Sequence, residues 1–186
     1  FLRPLGLRLG YPDSSCENLR GRLSELTGVP EDQMIFGNGA AELIFRLVQE
    51  VRPKKAVIPA PSFAEYETAL RSCGTEIAFF YLKEAESFFL NISEFLDFLR
   101  AEQPEIIFLC TPANPTGAMI RQADLSKILD YCKKHGILLV LDECFVEFLD
   151  EERSCGCIRE FLDWETGRPE HGGNLFLLRA FTKTYA

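Results

Sequence analysis

The sequence predicts an α/β protein built around a mostly parallel β-sheet. Short apolar runs that are typical of strands alternate along the chain with segments of helical periodicity. Such alternation favours a layered domain in which helices connect parallel strands. The last three apolar runs, at residues 106–110, 137–141 and 175–178, each lead to a polar residue of a different kind. Because the carboxyl ends of parallel strands share one edge, we expect these residues to meet where open α/β sheets bind ligands.

The first half of the chain alternates as follows. Residues 15–26 carry leucines at helical spacing and end before a Gly-Val-Pro turn, and the apolar triplet 34–36 predicts a short strand. A Gly-Asn-Gly turn then leads into a helix at 40–51. A strand at 56–59, a helix at 63–73 and a strand at 76–82 follow.

The second half continues the same pattern. We expect a helix at 92–100, a strand at 106–110 and a helix at 125–134, followed by strands at 137–141 and 175–178. The stretch between 155 and 173 is irregular. We therefore expect an N-terminal segment and helix over residues 1–30 and one α/β domain over residues 31–186.

The composition is that of an ordinary globular protein. The 186 residues are 47% hydrophobic and carry a net charge of −8, which argues against a broad surface for nucleic acid or anionic membranes. No apolar run approaches the roughly 20 residues that span a bilayer, and the first residues lack the layout of a secretory signal. We expect a cytoplasmic protein. Its seven cysteines are expected to be buried free thiols, and no metal site is expected.

The segment at residues 37–42, Gly-Asn-Gly-Ala-Ala-Glu, lies between an expected strand and an expected helix. Glycines allow close approach of the backbone, and the free amides of a first helical turn bind phosphate, so Gly39, Ala40 and Ala41 are candidate phosphate ligands. An ordinary turn before a capped helix explains the same residues. The third glycine of a dinucleotide fingerprint is absent.

Aromatic and amide side chains follow the next strands. Phe63 comes shortly after the strand at 56–59 and is a candidate to stack on a flat ring, with core packing as the alternative. Asn114 lies between two prolines, which stiffen the loop and fix the direction of its amide.

The final two candidates carry opposite charges. Asp142 ends a run of five aliphatic residues, and a carboxylate buried there requires a cation or strong donors. Lys183 follows the strand at 175–178, with the hydroxyl of Thr182 beside it. A surface lysine is the alternative. Together they suit pyridoxal phosphate, whose aldehyde reacts with a lysine and whose ring nitrogen is held protonated by a carboxylate.

In the order of these motifs, the chain resembles the fold-type I pyridoxal-phosphate enzymes of aminotransferase class I and II. The resemblance implies the three-layer α/β/α large domain of that family. It implies that the turn at Gly39-Ala40-Ala41 holds the cofactor phosphate, Phe63 stacks on the ring and Asn114 bonds its hydroxyl. It further implies that Asp142 pairs with the ring nitrogen and that Lys183 forms the Schiff base.

The resemblance also carries expectations about assembly. Tyr11 matches a tyrosine that reaches the cofactor phosphate of a second subunit, which implies a homodimer. Ala180 departs from the pattern, because it stands where a hydroxyl residue often binds the phosphate. Phe145 lacks the hydroxyl that many aminotransferases direct at the ring oxygen, and in this it resembles the decarboxylases of the family. After the lysine the family continues with Pro-Gly-Leu-Arg-Leu-Gly-Tyr and a small domain, and residues 4–11 resemble that segment.

Within the family, the sequence resembles in particular the threonine-phosphate decarboxylases of cobalamin biosynthesis and, next, the histidinol-phosphate aminotransferases. The expected activity is decarboxylation of L-threonine O-3-phosphate to an aminopropanol phosphate. The alternatives are amino transfer of the histidinol-phosphate type and a non-catalytic, truncated cofactor-binding module. Because the C-terminal small domain is expected to carry the arginine for the substrate carboxylate, we expect the 186-residue chain by itself to be inactive.

Overall fold

The computed structural model describes residues 13–149 and 173–183. The described α-helices are α1 Glu17–Thr27, α2 Ala40–Val51, α3 Ala64–Ser72, α4 Ile92–Glu102 and α5 Gln122–His135. The described strands are β1 Lys55–Ala60, β2 Glu76–Tyr81, β3 Ile106–Cys110, β4 Leu138–Asp142 and β5 Leu175–Leu178. The chain divides into two compact units, residues 1–36 and 37–186.

The first unit contains α1 and a short 3₁₀ turn, Glu31–Gln33. The Arg20 guanidinium donates hydrogen bonds to the carbonyl oxygens of Glu31 and Met34. The strand expected at 34–36 is wrong, because these residues join no sheet among the described residues. The physical reason is that an isolated apolar triplet gains little without a neighbouring strand, and here the Met34 carbonyl is engaged by a side chain.

The described part of the second unit holds one five-stranded sheet of order β2-β1-β3-β4-β5, in which every pairing is parallel. The register aligns Cys110 with Asp142 and Asp142 with Leu178, so the carboxyl ends of β3, β4 and β5 lie side by side. The predicted α/β class and parallel sheet are thereby confirmed.

Helices cover both faces of the sheet. Alternate strand residues pack against α4 and α5 on one face and against α2 and α3 on the other, as the two-residue period of a strand requires. The first core includes Val57, Leu109 and Leu141, and the second includes Ile58 and Phe108. The architecture is the three-layer α/β/α arrangement implied by the sequence.

Element boundaries depart from the expected ones at two places near the site. α5 begins at Gln122 rather than at 125, because its first turn is polar and gave no apolar signal. β4 is shifted by one residue and includes Asp142 as its last member. The five cysteines within the described residues are free, and only two of them are buried. Among the described residues, no helix has the length and apolar character to cross a membrane.

Candidate functional site

The strand order changes direction between β1 and β3, because the chain runs outward from β1 to β2 and then returns to place β3 on the other side. In open α/β sheets, ligands bind in the crevice at the carboxyl ends of such neighbouring strands. A pocket lies there, lined by Pro61 and Ser62 after β1 and by Cys110 and Asn114 at and after β3. The topology therefore makes this edge of the sheet the candidate binding site.

Asp142 is buried at this edge, with 4% of its surface exposed. Its Oδ2 accepts a hydrogen bond of 2.5 Å from the Tyr66 hydroxyl, and its Oδ1 accepts one of 2.9 Å from the Cys144 amide. Both donors are neutral. Within the described residues, no basic side chain forms an ion pair with Asp142. Among those residues, the carboxylate thus accepts hydrogen bonds from neutral donors but forms no ion pair with a cation.

Tyr66 is the main residue of the candidate site for which the sequence analysis predicted no role. It lies on α3, stacks on Phe108 with ring centroids 4.9 Å apart, and meets Phe63 edge-on at 5.5 Å. Burial and the charge of Asp142 raise the pKa of Tyr66 well above its usual value, so the phenol remains a donor. Its position three residues after Phe63, the residue that precedes α3, is the local signal that could have found it.

Two thiols flank the Asp142 carboxylate. Cys110 is partly buried, and burial followed by the charge of Asp142 raises its pKa to about 12. Burial and the same carboxylate raise the pKa of Cys144, while the charge of Lys183 acts in the opposite direction. Both thiols therefore stay protonated near neutral pH and add no charge to the site.

The candidate phosphate turn begins α2. Gly39 has φ of +89°, a conformation that favours glycine, and no side chain caps the helix. A Cβ added at Gly37 would lie 2.9 Å from Cδ2 of Leu43, so a side chain there would require the Leu43 side chain to move. The Glu42 carboxylate accepts a 2.6 Å hydrogen bond from the Asn38 amide and closes the turn. Uncapped amides of Ala40 and Ala41 are the groups that bind anions at a helix start.

Lys183 ends a short 3₁₀ helix, Phe181–Lys183, that follows β5. Its Nζ lies 5.3 Å from the centroid of the Phe145 ring, over the ring, and its side chain is exposed. Thr182 is also exposed. The ring of Phe145, three residues after Asp142, therefore holds the amine beside the segment that follows β4.

The structure brings some predicted residues into contact and leaves others apart. Phe63 and Asp142 both contact Tyr66, and Asn114 shares a pocket with Cys110. Within the described residues, no hydrogen bond joins Asp142 to the turn at residues 39–41, to Thr182 or to Lys183. Tyr11 lies outside the described residues, as does the segment at 4–11. The functional roles of all these residues stay predictions.

Comparison with known proteins identifies the family. A family model described as aminotransferase class I and II matches residues 6–186. The chain belongs to this family. The resemblance read from the sequence motifs is thereby confirmed.

Two class I and II relatives illustrate the range of named activities. Threonine-phosphate decarboxylase of Salmonella typhimurium is 36% identical over 178 residues, which cover 95% of this chain and 45% of the relative. Histidinol-phosphate aminotransferase of Ruminiclostridium cellulolyticum is 29% identical over 177 residues, covering 94% of this chain and 46% of the relative.

A solved structure agrees with the fold. The crystal structure of L-threonine-O-3-phosphate decarboxylase from Porphyromonas gingivalis superimposes with a TM-score of 0.73 at 27% identity, covering 93% of this chain and 46% of that one. This chain therefore spans less than half the length of the relatives it matches.

Class I and II aminotransferases depend on pyridoxal phosphate, and the residues present fit that group. A protonated pyridine nitrogen is the cation that the buried Asp142 carboxylate lacks among the described residues. The uncapped amides after Gly39 suit a phosphate, and the exposed amine of Lys183 suits an aldehyde.

Proposed function

We propose that the protein to which this chain belongs uses pyridoxal phosphate to decarboxylate L-threonine O-3-phosphate to an aminopropanol phosphate. The observation that supports pyridoxal phosphate as the cofactor is the buried Asp142 carboxylate. It accepts hydrogen bonds from two neutral donors and has no basic partner among the described residues. The substrate rests on similarity to threonine-phosphate decarboxylase at 36% identity. Cobalamin biosynthesis and a cytoplasmic location, expected from the sequence, stay predictions.

Each site residue has one proposed task. The amides at residues 39–41, with the Thr182 hydroxyl, would hold the phosphate, Phe63 would pack on the ring, and Asn114 would bond the ring hydroxyl. When bound, pyridoxal phosphate supplies an aldehyde that takes up amines and a ring that accepts an electron pair. Asp142 would keep the ring nitrogen protonated, with its own orientation set by Tyr66.

Lys183 would have two tasks. Its amine would hold the cofactor covalently until a substrate amine replaces it, and the released amine would then be placed to deliver a proton to the substrate carbon. The exposed location of Lys183 leaves room for both states of the side chain. Tyr11 would reach the phosphate of a second subunit, so a homodimer is part of the proposal.

Amino transfer of the histidinol-phosphate type is the second candidate, favoured by the 29% identity to a histidinol-phosphate aminotransferase. Both reactions use the residues named above. They differ in which substrate bond is held perpendicular to the ring, and such positioning contributes on the order of 7–11 kcal/mol in favourable cases. We expect the 186-residue chain alone not to supply this positioning. The third candidate function for this chain is therefore that of a cofactor-binding module without catalysis.

The deciding experiment compares two substrates. A protein that joins this chain to the remaining length found in its relatives is supplied with pyridoxal phosphate and either L-threonine O-3-phosphate or histidinol phosphate with an oxo-acid acceptor. Carbon dioxide release from the first, absent in Lys183→Ala, supports the decarboxylase. Amino transfer from the second without carbon dioxide release from the first overturns it. The 186-residue chain assayed in parallel is expected to be inactive.

A further inference from the structure

Glu143, next to Asp142, is a second buried carboxylate, with its side chain 0% exposed. Arg179 donates to its Oε2 from Nε at 3.2 Å and from Nη2 at 3.0 Å. The remaining arm of the same guanidinium, Nη1, donates to Oε1 of Glu147 at 2.9 Å. One arginine is thus bonded to two glutamates of the segment that follows β4.

The same two segments meet at two further points. The Glu143 amide donates to the Leu178 carbonyl at 2.9 Å, which continues the pairing of β4 and β5 past Asp142. Beyond it, the Lys183 amine lies over the Phe145 ring, 5.3 Å from its centroid. Arg179 lies between these points, one residue after β5 and four before Lys183. The segment that carries Lys183 is therefore held along its length by residues that directly follow Asp142.

We propose that Arg179, held by Glu143 and Glu147, is a positioning residue that sets the location of the Lys183 amine relative to Asp142. The inference rests on the proposed function, in which the amine adds to the cofactor aldehyde and a water molecule leaves. In that function Asp142 would hold the ring nitrogen, so the Lys183 amine would have to reach the aldehyde carbon at a fixed distance from Asp142. A displacement of about 1 Å costs on the order of 100-fold in such reactions.

The fork of an arginine is needed for this arrangement. Its planar guanidinium presents several donors in fixed directions, whereas a lysine ammonium is a single charge on a flexible stem. Arg179→Lys therefore keeps the charge that Glu143 needs but loses the simultaneous bonds to two glutamates. Glu147 is exposed, so Glu147→Gln removes the negative charge opposite one arm but keeps an acceptor oxygen, with little effect on burial.

The test separates positioning of Lys183 from stability of the whole site. Pyridoxamine 5′-phosphate carries the ring and phosphate but no aldehyde, so its affinity reports the site without the Lys183 bond. The rate of covalent bond formation with pyridoxal phosphate, trapped by borohydride and measured on the Lys183 peptide, reports the amine. Both are measured in the protein that joins this chain to the remaining length found in its relatives, with thermal unfolding as the check on folding. The matched control is Arg71→Lys, in an exposed pair with Glu67.

We expect Arg179→Lys to slow the bond to Lys183 at least tenfold and Glu147→Gln to slow it less, both with pyridoxamine phosphate affinity within twofold of wild type. Arg71→Lys should change neither quantity. The positioning role alone would be overturned if the affinity for pyridoxamine phosphate fell as much as the rate of bond formation with pyridoxal phosphate. Unchanged rates in both variants would overturn it as well. Wild-type protein that takes up neither ligand would overturn the proposed function and this role with it.

Discussion

Replacing Tyr66 with phenylalanine removes the hydroxyl that donates a 2.5 Å hydrogen bond to the buried Asp142 carboxylate. The phenyl ring retains the stacking on Phe108 and leaves no donor unpaired. Hydrogen bonds to charged groups contribute about 1.5–3 kcal/mol to stability. We therefore expect Tyr66→Phe to lower the free energy of unfolding at neutral pH by about 2 kcal/mol.

The pH dependence of this loss gives a sharper test. Burial and Asp142 raise the pKa of Tyr66 above its usual value near 10. Above about pH 10 the unfolded chain releases a phenolic proton that the folded protein keeps, so the contribution of Tyr66 is full below that pH and declines above it. The free energy of unfolding of the wild type falls by about 1.4 kcal/mol per pH unit from this source, and the Tyr66→Phe variant shows no such fall. The difference of about 2 kcal/mol between wild type and Tyr66→Phe should thus vanish at about pH 11.5.

Urea unfolding followed by circular dichroism, at neutral pH and at steps through the alkaline range, measures this difference. Tyr81→Phe is the matched control, because Tyr81 is 73% exposed and its substitution should change stability little at any pH. A difference between wild type and Tyr66→Phe that stays constant with pH would refute the buried, bonded phenol. So would the absence of any difference at neutral pH.

Three further expectations concern the turn, the carboxylate and the thiols. Gly39→Ala forces a side chain into φ of +89° and should cost about 1–2 kcal/mol of stability, measured by urea unfolding; an unchanged midpoint would mean that the turn has another conformation. Asp142→Asn should weaken binding of pyridoxamine phosphate about tenfold, or about 1.4 kcal/mol, because the ring nitrogen loses its counter-charge. Calorimetry measures this affinity, and an affinity equal to that of the wild type would mean that the carboxylate has only a structural role. In alkylation at mildly alkaline pH followed by mass spectrometry, exposed Cys73 should react well before buried Cys132, whose pKa burial raises to about 12; equal rates would contradict the described burial.

The sheet was readable from the sequence because its signal is local. Strands at 106–110 and 175–178 are found with the expected bounds, since a short apolar run between polar segments suffices to mark a buried strand. The triplet at 34–36 is also apolar but pairs with no strand among the described residues, and pairing is not visible in a single segment. The start of α5 was missed for a different reason, because its first turn is polar and gives no apolar signal.

The site was readable only in part. Asp142 and Lys183 could be selected because each is a polar residue following an apolar run. The bond from Tyr66 to Asp142 joins residues 76 positions apart, and the Arg179–Glu143 pair joins residues 36 apart. Both depend on which helix and strand become neighbours, which the order β2-β1-β3-β4-β5 decides. Only the spacing of Phe63 and Tyr66 offered a local signal for the first of them.

Borohydride reduction of the cofactor-loaded protein tests the central claim most directly. The protein is incubated with pyridoxal phosphate, reduced and digested, and the mass of each lysine-containing peptide is compared with that of unreduced protein and of Lys183→Ala. We predict that the pyridoxyl mass is found on the Lys183 peptide and is lost from the variant. Label on another lysine, with Lys183 unmodified, would contradict the assignment of this site.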